Sequence, residues 1–214
     1  PTFHADVKRL VERMFSYEPY KSRRHDFNVR AIDLPTSESG AHNPRVGDAR
    51  RPRLGVQYNI FDSERYAMSL DNRAWRDVAS AAPYDAVEIL INSRYYGGGG
   101  IFNDHATVAV DTGSAEYIFV HEFGHHFAGL GDEYYTSDVA YETGGEKIEP
   151  WEPNVTALHD PAQLKWKDLV EAGTPLPTPW AKDTYEARSH EIQAERRRLR
   201  ATGAPETEMD TLFA

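Results

Sequence analysis

The sequence predicts a mixed α/β domain, more narrowly α+β, and three observations carry that expectation. Near the start, Val7, Leu10, Val11 and Met14 recur at helical spacing with Lys8, Arg9 and Glu12 between them. In the middle, Ala86 to Ile91 is a near-continuous apolar run broken only by Glu88, the pattern of a buried strand. After it, His105 to Val110 reads as a short strand and Ala115 to Ala128 as a helix, joined by the turn Asp111-Thr112-Gly113-Ser114 with its several N-cap residues.

The remaining elements follow in chain order. A helix is expected over Ala5 to Phe15. From Asp26 to Leu34, Phe27, Val29, Ala31 and Asp33 alternate with Asn28, Arg30 and Ile32, which predicts a half-buried strand closed by Pro35. Thr36 to Arg53 is rich in Ser, Gly, Pro, Asn and Arg and reads as a long loop, a candidate for specificity because long loops in compact domains tend to be functional. Glu64 to Leu70 fits a short strand. Asn72 to Ala82 fits a helix with Trp75, Val78 and Ala79 on one face and Pro83 as its stop. The helix from Ala115 should end at Gly129 or Gly131. Asp132 to Pro153 is acidic and aromatic, and Gly173 to Trp180 carries three prolines and should be extended. Thr184 to Arg200 has few apolar residues and reads as a solvated helix laced with Glu and Arg pairs, its basic cluster Arg196 to Arg200 included. The 214 residues, 40% of them hydrophobic, suit one domain with a core that needs no disulfide.

Charge and composition remove several functions. Lys and Arg number 24 and Asp and Glu 34, a formal charge of −10, which argues against nucleic acid or anionic membrane as the main partner. The longest apolar runs fall far short of the ~20 residues of a membrane span. The absence of cysteine excludes thiolate metal sites and cysteine nucleophiles. The chain begins at Pro1 with no signal-peptide pattern and reads as a processed piece.

The strongest chemical signal is His121-Glu122-Phe123-Gly124-His125. On a helix, His121 and His125 stand at i and i+4 and project from one face, so both imidazoles reach one ion. Zinc takes neutral imidazole nitrogens at about 2.0–2.1 Å. Glu122, rotated by roughly 100° from His121, lies beside the ion, where it can take a proton from activated water. A catalytic zinc needs a third protein ligand and an open fourth position. The turn at Gly129-Leu130-Gly131 would bring Asp132 or Glu133 back to it, and either carboxylate suits by chemistry. His126, roughly 140° from His121, should miss the ion and pack instead. His105 and His159 read as ordinary histidines. Asn154-Val155-Thr156 fits the N-glycosylation pattern. Tyr95 to Phe102 holds the four glycines Gly97 to Gly100; this run is either a plain loop or an edge strand that pairs with an extended peptide, with Gly99 and Gly100 as substrate-binding positions.

HEFGHHFAGLGDEYY, from His121 to Tyr135, resembles the bacterial IgA-specific metallopeptidase family, within the wider zincin and metzincin-like group. PYDAVEILINSRYYGGGGIFN, from Pro83 to Asn103, and the EPNVT and KWKDL segments around Asn154 and Trp166 are similar to the same family. The motif departs from HExxHxxGxxH: glycine comes one place later, at Gly129, and an acid replaces the third histidine. The resemblance implies a mixed sheet packed on helices, with His121, His125 and Asp132 as zinc ligands and Glu122 as base. It also implies a methionine-containing turn and a C-terminal helix past the motif. Met209 lies in the terminal stretch and fits no such turn, so the C-terminal part of the domain is expected to be missing from this chain.

The expected function is that of a zinc endopeptidase acting on an extended protein or peptide substrate. The resemblance implies an extracellular, periplasmic or cell-surface location. Two rivals stand beside it: a zinc-binding interaction module without turnover, and a zinc hydrolase of non-peptide substrates.

Overall fold

The computed structural model of the chain describes residues 2–133 and 148–212. They fall into two compact units, Pro1–Ala128 and Gly129–Ala214.

The first unit is built on a three-stranded mixed sheet. Helix α1 (Phe3–Met14) precedes a two-stranded antiparallel sheet of β1 (Val56–Tyr58) and β2 (Ala67–Ser69). Helix α2 (Asn72–Ala79) leads to β3 (Glu88–Ile91), β4 (Gly98–Ile101) and β5 (His105–Ala109), and then to helix α3 (Ala115–Ala128). Strand β5 is central, parallel to β3 on one side and antiparallel to β4 on the other. Every residue of β5 is buried. That is why its sequence carries the small and β-branched residues of a strand covered on both faces.

Side-chain alternation divides two cores. Leu10 and Met14 of α1 pack with Val108 of β5 and with Ala115, Ile118, Phe119 and Phe123 of α3. On the opposite face, Ile89 and Ile91 join Val56, Tyr58, Ala67, Trp75 and Ala79. Thr107 and His105 point to this second face: Thr107 Oγ1 donates to the Ala67 carbonyl, and His105 Nε2 accepts the Ser69 N–H at 3.3 Å. Helix α1 is tied to α3 at Glu116, whose carboxylate lies 3.5 Å from both Arg9 and Arg13.

Most expected elements are present, with the helix at Ala115–Ala128 reproduced residue for residue. The expected strand over Asp26 to Leu34 does not form. Arg24–Asp26 is a single 3-10 turn, and the chain then runs without a ladder partner. Its alternation does not sort the side chains by burial: Val29 and Ala31 are exposed, Ile32 and Leu34 are half-buried, and Phe27 packs edge-on to the rings of Phe15 and Tyr20. Helix α2 ends at Ala79, earlier than Ala82, although Asp71 caps its start through a 3.0 Å bond from the Ala74 N–H. Strand β1 was not foreseen; three residues are too few for a period-2 signal.

The glycine run is a strand, not a plain loop. In register, Glu88 of β3, Ala106 of β5 and Gly100 of β4 form one row across the sheet. Helix α3 lies over that row. A Cβ on Gly100 would stand 2.3 Å from the Glu122 carbonyl oxygen, and one on Gly98 would stand 2.8 Å from the Ile118 Cγ2. Bare backbone is what lets the helix sit on the sheet edge. Gly100→Ala should therefore cost roughly 3 kcal/mol or more, the upper end for overpacking. That lowers the thermal midpoint by about 6–12 °C for a chain of this length. Gly99 faces the flexible Met68 side chain, whose Sδ lies 2.8 Å from the same construction, and Gly99→Ala should cost clearly less. Equal midpoints for the two variants in a melting experiment would refute the main-chain contact.

In the second unit, α4 (Lys182–Ala201) is largely exposed, as its composition predicts, and α5 (Glu206–Asp210) follows it with Met209 buried. The basic cluster is not wholly a solvated face. Arg196 is buried and Arg200 pairs bidentately with Glu206, linking the two helices, while Arg198 pairs with Glu195 on the surface. No helix among the described residues is long and apolar enough to cross a membrane.

Candidate metal centre

Helix α3 presents His121 and His125 one turn apart on the same face. Their Nε2 atoms approach to 3.0 Å, with the rings perpendicular and 4.6 Å between centroids. Two nitrogens bound tetrahedrally to one zinc at 2.0–2.1 Å stand about 3.3 Å apart, so the pair already converges at the spacing one ion needs. Tyr117, a turn earlier, stacks on the His121 ring at 5.6 Å. With Glu122, the two histidines are the group among the described residues whose ligand atoms gather within 4.8 Å of one another as a metal site requires. The donor set fits a borderline metal ion such as zinc.

The helix is held at this height by a histidine that does not point at the site. His126 is buried, its Nδ1 3.1 Å from the Ile101 carbonyl and its Nε2 accepting the Val87 N–H at 2.9 Å. One ring thus bolts α3 to β4 and to the approach to β3. Asn103 adds a bond from its N–H to the His126 carbonyl, 3.0 Å. Burial lowers the pKa of both His126 and His105, and each neutral ring accepts a backbone N–H that a protonated ring would repel. Both are structural, as expected. His159 is exposed.

Glu88 is the residue the sequence flagged without explaining. The lone acid in an apolar run shares the face of Leu90 and Val108 under α3, by strand alternation and register. Both its carboxylate oxygens are buried and make no hydrogen bond among the described residues. Desolvation, and secondarily the charge of Glu122, raise its pKa well above the ordinary 4.5. The same carboxyl, after burial itself, raises the hydroxyl pKa of Tyr20. A raised native pKa means the folded state holds the proton that the unfolded state releases. Stability from this group is full below pH 4.5 and is lost as pH climbs through the native value. Glu88→Gln should gain on the unsubstituted chain in thermal midpoint between pH 5 and pH 8, both measured without metal. A gap that shrinks or reverses with rising pH would contradict this.

Strand β4 places Gly99 and Gly100 at the edge of the sheet, beside α3. The Gly97 carbonyl accepts from the Ala109 N–H, and the Gly98 N–H donates outward to the Arg65 carbonyl. Antiparallel alternation then turns the groups of Gly99 toward Thr107 and those of Gly100 outward. The loop 36–53 is ordered by its own bonds, including Arg50 to Asp48 at 2.7 Å and a mutual pairing of Asn43 with Asp48.

In the second unit, Gly129 has φ 63°, the left-handed residue expected after the helix. Gly131 is held to glycine by a close contact. A Cβ there would lie 2.8 Å from Val155 Cγ2. Asp132 and Glu133 follow it, with Asp132 Oδ1 buried. Tyr134, Tyr135 and the rest of the acidic, aromatic stretch through 147 lie outside the described residues.

Fold and site together define a class: an α/β protein built around a helix whose two imidazoles could hold a metal ion beside a carboxylate. Comparison with known families narrows it. The model of the family IgA Peptidase M64 matches residues 1–214, the whole chain, and the chain belongs to that family, and with it to the peptidases. No curated protein matches the chain.

Proposed function

We propose that this chain is a zinc-dependent endopeptidase in which His121, His125 and Asp132 hold the ion and Glu122 is the general base and acid. The observation that carries the reading is the 3.0 Å approach of the two Nε2 atoms on the face of α3 that Glu122 flanks. Asp132 is chosen because it follows the glycine turn after the helix, carries a hard oxygen donor and has a buried Oδ1. When bound, zinc polarises the scissile carbonyl and lowers the pKa of its water toward ~7.

The chain's own residues supply the rest. Glu122 accepts the proton of the attacking water and returns it to the leaving amine. The outward N–H and C=O of Gly100 pair with the main chain of an extended substrate, a strand-addition mode that needs no particular side chain from the peptide. Gly99 lies against Met68 with its main-chain groups turned toward Thr107, so the outward pairing falls to Gly100. Burial of the Glu88 carboxyl beneath the helix raises its pKa, which disfavours a second negative charge beside Glu122.

A chelator test addresses the reading as a whole. Cleavage of an unstructured, Pro-containing protein should stop on removal of metal with 1,10-phenanthroline and return on adding zinc. Full activity in a sample shown by elemental analysis to hold no transition metal would sink it.

A further inference from the structure

Asn154 belongs to the EPNVT segment, and Lys165 to KWKDL; the second unit brings the two together. Asn154 faces Gly131 with both ends of its amide. Its Oδ1 accepts the Gly131 N–H at 2.8 Å, and its Nδ2 donates to the Gly131 carbonyl at 2.9 Å. The second Nδ2 hydrogen goes to Glu133 Oε1, at 2.8 Å. Both donors and an acceptor of the amide are therefore spent on Gly131 and Glu133. The side chain grips Gly131 as a neighbouring strand would, at two points, and fixes the peptide planes on either side.

The clamp is itself anchored. Lys165 Nζ donates to the carbonyls of Glu152 and Val155, each at 2.8 Å, and to that of Pro150, holding the segment that carries Asn154. Glu149 pairs with Lys165 at 3.2 Å and accepts from Thr156 Oγ1 at 3.1 Å and the Ala157 N–H at 3.0 Å. Gly131 is locked from the other side by Val155 and Glu152, which leave no room for a Cβ.

We infer that Asn154 is a positioning residue for the third metal ligand: it fixes the peptide planes on both sides of Gly131, just before Asp132, and holds Glu133 Oε1 in a hydrogen bond, which orients the segment so that of two adjacent acids Asp132 takes the ligand role. This rests on the reading of Asp132 as a zinc ligand. It supplies what the sequence left open, because Asp132 and Glu133 are chemically equal donors. Outer-shell groups of this kind orient ligands and typically govern affinity by about 10–100-fold.

The test uses the full chain and four variants: Asp132→Ala, Glu133→Gln, Asn154→Ala and Asn154→Asp. Zinc affinity is read by competition with a chromophoric chelator, ligand geometry by the visible spectrum of the Co²⁺ form, and folding by the melting of the metal-free protein. Asp132→Ala should lose more than 100-fold in affinity. Asn154→Ala should lose about 10–100-fold and shift the Co²⁺ bands, with the metal-free midpoint little changed. Glu133→Gln, which keeps the acceptor for Asn154, should bind zinc like the unsubstituted chain. Asn154→Asp keeps the volume and the bond from the Gly131 N–H but sets oxygen against the Gly131 carbonyl and Glu133. It should fall with the alanine variant, and it decides the matter if that variant does not fold. Zinc affinity and Co²⁺ bands unchanged in the Asn154 variants, with affinity lost in Asp132→Ala, would overturn the inference alone. Affinity unchanged in Asp132→Ala would overturn the ligand assignment beneath it.

Discussion

Glu122→Ala should abolish peptide cleavage while the chain stays folded and keeps its zinc. General acid–base catalysis by one placed carboxyl contributes typically 10²–10⁴-fold, and this site offers no second carboxylate in the same relation to the two imidazoles among the described residues. Glu88 does not substitute, since it is buried beneath the helix and its pKa is raised. The fold should tolerate the change. What packs over Gly100 is the Glu122 carbonyl, which the substitution retains, and removing the carboxylate relieves the like charge felt by Glu88. Glu122→Gln sharpens the experiment by keeping the volume. The measurement is cleavage of an unstructured, Pro-containing protein by samples of equal zinc content. Activity within tenfold of the unsubstituted chain in both variants would remove Glu122 from the role of base. Loss of zinc in step with activity would make it a ligand instead.

The second large effect is expected at His125. His125→Ala removes one of the two nitrogens that meet at 3.0 Å, and zinc should be lost on dialysis. The drop in affinity should be well beyond the 10–100-fold typical of outer-shell changes. Its Cβ, which lies against the position of Gly100, remains, so the metal-free protein should melt close to the unsubstituted chain. Elemental analysis after dialysis checks the first point and calorimetry of the metal-free form the second. Zinc bound in full by the variant would show that the imidazole pair is not the anchor of the site.

Much of this was legible in the sequence because the signals are local. Residues i and i+4 of a helix share a face whatever surrounds them, so His121 and His125 could be paired before any fold was known. The apolar run from Ala86 to Ile91 marks strand β3, and the N-cap residues before Ala115 with the glycines after Ala128 mark helix α3. What the sequence could not show depends on distant partners. Asp26 to Leu34 alternates well and forms no strand, because a ladder needs a neighbour with free edge groups. The glycines of β4 looked like a flexible turn or a peptide edge; their close contact with α3 arises from residues some twenty positions away. Glu88 stood out only as an oddity in an apolar run; its raised pKa comes first from burial under the distant helix α3 and then from the charge of Glu122. Asn154 shows in the sequence only as part of the EPNVT segment and of a common N-x-T pattern, and neither announces its hold on Gly131, 23 residues away.

The row of Glu88, Ala106 and Gly100 beneath α3 has a consequence for ligand recognition. At Gly100 the spacing between helix and sheet edge is set by the Glu122 carbonyl, a main-chain atom, and not by a side chain that must choose a rotamer. Freezing a rotamer-rich side chain on binding costs roughly 0.5–1.5 kcal/mol. On the proposed strand-addition mode, a peptide laid along Gly100 would meet an edge whose distance from the helix was already fixed during folding. Affinity then depends on the order in the incoming chain, and a substrate segment stiffened into an extended form should be favoured over a freely coiling one of equal composition.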